Sequence, residues 1–222
     1  MIWAFINHKK KLAEPSQMGL CPHCKEQVYS KCGDIYIWHW AHKNNDACDS
    51  CYEPETYWHK HWKLTFGVEH SERIVKKGKA WHTADILTDS NVVIELQNSP
   101  IAKSVIEERE LFYGERMIWV INGNSFKENF RPIPFPKRHP DWYLSDYERT
   151  FEEAHICYEW SYARKCWKTS KRHVFVDFGD DTLFWIKSGL GTPRGTGKMI
   201  NKKGFIDKYG GDYQYYIDHK NE

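Results

Sequence analysis

The chain has 222 residues, a formal net charge of +2 at pH 7 and an aromatic content of 16%. This length allows a buried core in one or two domains, and so small a net charge gives no overall sign of a nucleic-acid binder, which leaves local patches for any DNA contact. No apolar run is long enough to span a bilayer, and the first seven residues lack the regions of a signal peptide. These features predict a cytoplasmic protein without a membrane-spanning segment.

Cysteine and histidine pairs dominate residues 1–52, which we interpret as a small zinc-binding module. The chain has seven cysteines, four of them in C-x-x-C pairs, and this pattern fits metal binding in a reducing compartment better than disulfides. Cys21 and Cys24 form the first pair, and two histidines three positions apart follow at His39 and His42. Two Cys followed by two His at such spacing is typical of a zinc site.

A second C-x-x-C pair, Cys48 and Cys51, leaves a four-cysteine site open as the alternative. A third interpretation is that none of these residues binds metal. Either four-ligand set leaves no open position for water, so the predicted zinc is structural. It would close a loop-rich segment that is too small to be held by an apolar core alone.

A helix is predicted over residues 54–66, followed by Gly67. Glu55, His59 and Lys63 recur at i, i+4 and i+8, so they form one polar stripe on this helix. On spacing alone, a solvated face with ordinary ion pairs explains the stripe equally well.

A β-hairpin is predicted by two apolar runs that flank a Thr-Asp-Ser-Asn turn. Pairing of Thr88 with Val92 would place Asp85 opposite Glu95, on the same face as Gln97. Two like charges facing each other destabilise a sheet unless a cation offsets them. Carboxylate oxygens suit Mg²⁺ or Mn²⁺, so we expect Asp85 and Glu95 to bind one of these ions.

A second helix is predicted between Ser99, its N-cap, and Gly114, and a buried strand at 117–121 follows it. The order of elements is therefore α-β-β-β-α-β, and we expect the chain to have a mixed α/β (α+β) fold. Arg109 and Tyr113 lie four positions apart on this helix. Arg109 could hold a phosphate with two hydrogen bonds, or pair with the acids beside it on the helix.

The C-terminal part, residues 138–222, is predicted to be an α+β extension that follows a Pro-rich linker at 131–137. Aromatic residues at helical spacing predict a helix from Trp142 to Trp167. A basic cluster lies at its end: Arg164, Lys165, Lys168, Lys171 and Arg172. Beside Trp167, these cations suit a nucleic-acid backbone with base stacking, and they suit a helix C-terminus equally well.

A β-hairpin at 173–187 comes next, because apolar runs flank a Gly-Asp-Asp-Thr turn. The Gly-, Lys- and Arg-rich stretch at 189–204 is predicted to be a mobile loop. The tail is predicted to form a short helix and a strand.

Several of these motifs, in this order, resemble those of the PD-(D/E)XK nuclease superfamily and of the competence protein CoiA family. The resemblance covers residues 1–122 and rests on Cys21-Pro22-x-Cys24, His39-Trp40-Ala41-His42, Glu55-Thr56-x-x-His59-x-x-x-Lys63, Ala84-Asp85-Ile86, Val93-Ile94-Glu95-x-Gln97 and Glu108-Arg109-x-x-x-Tyr113. It implies a restriction-endonuclease-like αβββαβ core over 53–125, with the first-helix stripe facing the active site. It also favours Cys21, Cys24, His39 and His42 as the zinc ligands.

In the superfamily, a Lys two residues after the Glu helps to position the attacking water, and here that position is Gln97. A Gln orients water by hydrogen bonds but carries no charge. The missing cation would come from Lys63 or from a second metal ion, and His59 would transfer a proton or only orient its neighbours.

The resemblance implies a deoxyribonuclease that uses Mg²⁺ or Mn²⁺ to hydrolyse phosphodiester bonds during DNA processing. Its expected active-site residues are Glu55, His59, Lys63, Asp85, Glu95 and Gln97. Its expected partner is DNA, with contacts from Arg109, Tyr113 and the basic cluster. The alternative is a zinc-containing module that binds DNA or protein and whose nuclease fold is inactive.

Overall fold

The computed structural model describes residues 1–43, 48, 55–133 and 156–220, and its fold is mixed α+β. The chain divides into two compact units: unit 1 comprises Met1–Ile94 and Gly210–Glu222, and unit 2 comprises Glu95–Tyr209. The expected α+β class is confirmed. The assignment to the PD-(D/E)XK type, and the domain boundaries expected from the sequence, stay predictions.

The helices are α1 (Tyr57–Thr65), α2 (Gly67–His70), α3 (Lys103–Tyr113), α4 (Lys202–Lys208) and α5 (Tyr213–Asp218). The strands are β1 (Ala4–Ile6), β2 (Lys9–Lys11), β3 (Met18–Leu20), β4 (Gln27–Lys31), β5 (His39–His42), β6 (Ser71–Lys77), β7 (Ala80–Leu87), β8 (Val93–Gln97), β9 (Met117–Asn122), β10 (Phe130–Ile133), β11 (Ile156–Trp160), β12 (His173–Asp177), β13 (Thr182–Ser188) and β14 (Arg194–Asn201). Two 3-10 helices, Asn124–Asn129 and Lys165–Thr169, lie in unit 2.

Unit 1 begins with a five-stranded antiparallel sheet in the order β2-β1-β3-β4-β5. The turn between β1 and β2 has positive φ at Asn7 (51°) and His8 (64°), which is the conformation that a two-residue type I′ turn requires. Because side chains alternate along a strand, Ala4, Val28 and Trp40 share one face of the sheet, and all three are fully buried. The opposite face is more open to solvent.

Helix α1 begins after Thr56, whose hydroxyl accepts a hydrogen bond from the backbone N–H of His59. The predicted helix is confirmed, but its start is corrected, because Thr56 supplies the cap and Glu55 precedes it. Trp62 is fully buried in α1 and packs edge-on against Tyr216 of α5, with 5.5 Å between the ring centroids. This aromatic contact fixes the orientation of α1 and therefore of its polar residues.

Strands β6, β7 and the first part of β8 are antiparallel neighbours, and the unit boundary falls inside β8. The predicted hairpin is confirmed. Ile86 pairs with Ile94, and the N–H of Thr88 donates to the carbonyl of Val92 at 3.0 Å, as the predicted register requires. The element order from α1 to β9 is likewise the predicted α-β-β-β-α-β, with the short α2 added.

Unit 2 contains six strands in the order β10-β11-β14-β13-β12-β9. Strand β12 is parallel to β9, and the other neighbours are antiparallel. Large rings fill its core, including the fully buried Trp119, Trp160 and Trp167. Helix α3 ends at Gly114 (φ 79°) as predicted, but it begins at Lys103 rather than after Ser99.

Three predictions for the C-terminal part are wrong where the structure describes it. Residues 156–160 form β11 instead of the end of a helix, and residues 142–155 of that predicted helix lie outside the described residues. Half of the predicted loop at 189–204 is strand β14, in which Gly195 and Gly197 make room for aromatic rings. The tail forms two helices, α4 and α5, rather than a helix and a strand.

The predicted Pro-rich linker starts inside an ordered element, because Arg131-Pro132-Ile133 belongs to β10. The proline at this position is tolerated because β10 is the last strand of the series in unit 2. Residues 134–137 lie outside the described residues.

Candidate metal centre and carboxylate cluster

Four side chains of unit 1, Cys21, Cys24, His42 and Cys48, bring their ligand atoms within 4.8 Å of one another. We call this group the Cys/His cluster. Cys21 follows β3 and Cys24 lies in the turn before β4, which is closed by a hydrogen bond from the N–H of Cys21 to the carbonyl of Glu26 at 2.8 Å. His42 is the last residue of β5.

The spacing inside the Cys/His cluster fits a tetrahedral zinc ion. With Zn–S distances of about 2.3 Å, tetrahedral geometry separates two thiolate sulfurs by about 3.8 Å. The Sγ atoms of Cys21 and Cys48 are 3.8 Å apart, and the Sγ of Cys24 lies 3.1 Å from the Nε2 of His42. Three thiols and one imidazole are also a donor set that zinc prefers in structural sites.

Burial shifts the pKa of two members of this cluster, Cys21 and His42. It raises the pKa of the Cys21 thiol to about 12, although hydrogen bonds from the N–H groups of Cys24 and His23 act in the opposite direction. Burial also lowers the pKa of His42, which favours the neutral imidazole that binds metal. A metal ion that binds here must therefore displace the thiol proton of Cys21.

The cluster combines residues from both predicted zinc sets. Cys21, Cys24 and His42 belong to the favoured set, and Cys48 replaces His39. Strand geometry explains the difference: His39 and His42 are three residues apart on β5, so their side chains point to opposite faces. The Nδ1 of His39 instead lies 2.8 Å from the carbonyl oxygen of Ile37. Cys51 lies outside the described residues.

A second polar group in unit 1 is formed by three acids around a buried lysine. The Nζ of Lys63 lies 2.7 Å from Glu55 Oε1, 3.1 Å from Glu72 Oε1 and 3.2 Å from Asp85 Oδ1. We call these four residues the carboxylate cluster. The side chain of Asp85 is 20% exposed, whereas those of the other three are nearly inaccessible. Asp85 is therefore the member through which solvent reaches the cluster.

Sequence reasoning missed Glu72. It has an unusual positive φ of 49°, and its carboxylate accepts hydrogen bonds from the backbone N–H groups of Ile2 and Trp3 at 2.8 and 3.2 Å. These partners are about seventy positions away in the sequence, so no local pattern marks the residue. Glu72 ties the start of the chain to Lys63.

The charges of Glu55 and Lys63 are set by their mutual attraction. Burial alone would raise the pKa of Glu55, but the neighbouring Lys63 ammonium, with smaller contributions from other positive groups, lowers it to about 2. Burial opposes the charge of Lys63, yet Glu55, Glu72 and Asp85 hold its pKa well above the ordinary value. Glu55 is thus an anion and Lys63 a cation, and neither can serve as a proton donor or acceptor near neutral pH.

One oxygen of this cluster is unsatisfied. Glu55 Oε2 is buried and has no hydrogen-bond partner within the part of the chain that the structure describes. A buried carboxylate oxygen without a partner is costly, and a hard cation would offset that cost. The three carboxylates do not form a tight three-ligand group like the Cys/His cluster, because Lys63 stands between them.

His59 is buried in α1, one turn before Lys63, and its Nδ1 lies 2.9 Å from the hydroxyl oxygen of Thr56. The contact with the helix cap holds the imidazole in place. This contact fits an orienting role for His59. A role of His59 in proton transfer stays a prediction.

The remaining motif residues lie in unit 2. Glu95 is fully buried and forms an ion pair with Arg109 of α3, so Arg109 is engaged by this acid. Gln97 is buried too, and its Nε2 donates to the carbonyl of Ser99 at 3.0 Å. Tyr113 is 8% exposed. These residues stay candidates.

The predicted basic cluster surrounds the 3-10 helix Lys165–Thr169. Lys165, Lys168 and Lys171 are exposed, and the guanidinium of Arg164 lies over the ring of Phe126. Trp167, however, is fully buried and packs edge-on against Trp119, so it offers no surface to bases. The cations remain candidates for phosphate contacts, without the stacking partner that the sequence predicted.

Comparison with known proteins identifies one relationship, in the part of the chain that holds the Cys/His cluster. Residues 5–51 match the family model described as "Competence protein CoiA, N-terminal domain". All four members of the cluster fall within this stretch. The comparisons with curated proteins and with solved structures gave no match. Among the described residues, no helix has the length and apolar character needed to cross a membrane.

Proposed function

We propose that this chain is a metal-dependent deoxyribonuclease that hydrolyses phosphodiester bonds in DNA. The observation that carries the proposal is the carboxylate cluster, in which three acids surround a buried lysine and one acid, Asp85, reaches solvent. The match of residues 5–51 to a competence protein domain supports a role in DNA processing.

The electrostatics assign different roles to the cluster members. Lys63 is a permanent cation, so it would stabilise negative charge that develops on a phosphodiester. Glu72 positions Lys63 through a direct ion pair and is itself held by two backbone N–H groups. Asp85 and Glu55 supply anionic oxygens within unit 1. The roles of Glu95 as a further ligand and of Gln97 as a water-orienting group rest on the sequence motif alone.

The donor chemistry fits Mg²⁺ or Mn²⁺ at the oxygens of Asp85 and Glu55. The buried and unsatisfied Glu55 Oε2 is the structural feature that favours such an ion. When bound, the ion would polarise the phosphodiester and lower the pKa of an attacking water. The zinc that fits the Cys/His cluster would be structural, because four protein ligands fill its coordination sphere.

A second candidate function is DNA or protein binding without cleavage. The ion pair between Glu95 and Arg109 favours it, because a carboxylate held by a guanidinium gains less from binding a metal ion. The Gln97 that stands where the superfamily has a lysine also favours binding without cleavage. The two functions differ in one measurable property, which is DNA cleavage that depends on the carboxylates.

Digestion of circular single- and double-stranded DNA with Mn²⁺ separates the two functions. We expect the wild-type chain to nick or degrade one of these substrates, and Asp85→Ala and Glu95→Ala to lose at least about 100-fold in rate if they bind the metal. Asp89→Ala is the matched control, because Asp89 belongs to the same hairpin and its side chain is 91% exposed. Equal cleavage by all four proteins, or none by the wild type, would reject the nuclease proposal.

A further inference from the structure

The five-stranded sheet of unit 1 has one face that packs on the core and one face whose strand positions are exposed or half-buried. Strand register places Phe5 beside Leu20, Leu20 beside Gln27, and Met18 beside Tyr29. All five lie on the side opposite to the buried Ala4, Val28 and Trp40. Lys31, opposite His39 in the next strand, continues the same side. We call this side the outer face.

Exposed apolar side chains are concentrated in the part of the chain that forms this sheet. Met18 is 59% exposed and Leu20 49%. Of the nine large apolar side chains that are exposed in the described residues, five lie between residues 18 and 38. Two of these five are the aromatic Tyr36 and Trp38, just before β5. A surface of this kind is rarely left exposed without a binding role.

The charge of the outer face is positive. Lys25 and Lys31 are exposed, and none of the outward strand positions of this fully described sheet carries an acid. The ammonium of Lys25 donates to the carbonyl of Pro22 at 2.7 Å and lies 4.8 Å from the centre of the Phe5 ring. These two contacts hold the cation in place while the side chain remains open to solvent.

The outer face also contains a cavity of about 670 Å³, whose lining includes Phe5, Met18, Leu20, Lys25 and Gln27. Polar groups beside it are ordered by a row of contacts: the hydroxyl of Tyr29 donates to Gln27 Oε1 at 3.0 Å, and Gln27 Nε2 lies 3.4 Å from the sulfur of Met18. The row holds the Tyr29 ring on the outer face. The face thus combines an aromatic platform, the exposed cations Lys25 and Lys31, and hydrogen-bonding groups at its centre.

We propose that the outer face binds single-stranded nucleic acid, with Tyr29 stacking on a base and Lys25 and Lys31 contacting phosphates. Single-strand binding surfaces combine these two features, because every base has a flat apolar face and every linkage a negative charge. A duplex hides its base faces, so it would leave Met18, Leu20 and Tyr29 without partners. Five strands at about 4.8 Å spacing give a platform about 19 Å wide, enough for a few nucleotides.

This inference goes beyond the proposed nuclease activity, since binding here needs neither the carboxylate cluster nor Mg²⁺ or Mn²⁺. The test is fluorescence anisotropy of a labelled oligo-dT of about 12 nucleotides with the full zinc-loaded chain, without added Mg²⁺ or Mn²⁺, over a range of salt concentrations. A duplex of the same length is the competitor. Failure of the nuclease assay would therefore leave this test unaffected.

The expected results distinguish charge from stacking. The double variant Lys25→Gln/Lys31→Gln should bind at least about tenfold more weakly and should lower the salt slope by about 1.4, since each single-strand phosphate contact contributes about 0.7. Tyr29→Leu keeps an apolar side chain but removes the ring, and should weaken binding about tenfold at an unchanged slope. Lys76→Gln/Lys79→Gln removes two exposed charges from the β6–β7 hairpin and should change neither quantity.

Two outcomes would overturn the proposal. The first is binding that is equally strong in the wild type and both outer-face variants, or equally weakened in the Lys76→Gln/Lys79→Gln control. The second is a chain that binds no oligonucleotide but self-associates, and that becomes monomeric when Met18→Glu places a charge on the outer face. That result would identify the face as a protein interface instead.

Discussion

The Cys/His cluster and the carboxylate cluster lie in the same compact unit, but they differ in the cation that suits their donor groups. The first brings four soft donors within 4.8 Å of one another, a spacing that fits zinc. The second places three hard donors around an ammonium group that the chain itself supplies. The spacing of the first fits an added metal ion, whereas in the second Lys63 already pairs with the acids.

The largest effect is expected at the Cys/His cluster. His42→Ala should abolish zinc binding and unfold the N-terminal sheet, because structural zinc contributes about 10 kcal/mol or more in small zinc domains. His39→Ala, three residues away on the opposite face of β5, should keep its zinc. Zinc per chain, measured by atomic emission, checks this, and it would contradict our ligand assignment if His39→Ala lost zinc while His42→Ala kept it.

Removal of the internal cation should be the next largest effect. Lys63→Met leaves three acids without their shared partner, and breaking a buried ion pair costs about 3–5 kcal/mol. Urea unfolding measures the loss, with Lys60→Met on the same helix as the control. Equal stability of the two variants would show that Lys63 does not balance the acids.

Stability at low pH should depend on Glu55. Its pKa is lowered from 4.5 to about 2, so its contribution is fully present above 4.5 and is lost as pH falls towards 2. The shift corresponds to about 3 kcal/mol at neutral pH. In urea unfolding, the stability difference between wild type and Glu55→Gln should therefore shrink below about pH 4.5. A difference that stays constant down to about pH 3 would argue against this ion pair.

The smallest of these effects is expected for Glu72→Gln. The amide keeps an acceptor oxygen for only one of the N–H groups of Ile2 and Trp3, turns an NH2 group towards the other and loses the charge opposite Lys63, which should cost about 1–3 kcal/mol. Glu69→Gln, on the exposed surface of α2, is the matched control. A loss in urea unfolding no greater than that of the control would leave Glu72 without the positioning role we assign to it.

What could be predicted from the sequence depended on local signals. Apolar runs, the Thr-Asp-Ser-Asn turn and Gly114 located the hairpin, α3 and β9, because each signal acts within a few residues. The spacing predicted both His39 and His42 as ligands, and the two are separated only by the knowledge that both lie on one strand, where side chains alternate. Glu72 was missed because its partners, Ile2 and Trp3, are distant in sequence.

The glycines of the C-terminal part led to a wrong prediction of a loop at 189–204. The stretch around Gly195 and Gly197 reads as a loop by composition, yet both residues lie in β14, where a side chain would collide with Tyr158 or Phe184. The requirement comes from rings on neighbouring strands, which the local sequence does not contain. Trp167 likewise looked like a stacking platform, but burial against Trp119 depends on the tertiary fold.

The central claim is that the carboxylate cluster takes a hard divalent ion while the Cys/His cluster holds zinc. A titration of the zinc-loaded chain with Mn²⁺, followed by electron paramagnetic resonance, tests it directly. We expect bound Mn²⁺ in the wild type and in Asp89→Ala, and its loss in Asp85→Ala with the zinc retained. No bound Mn²⁺ in the wild type, or equal binding in all three proteins, would contradict the account.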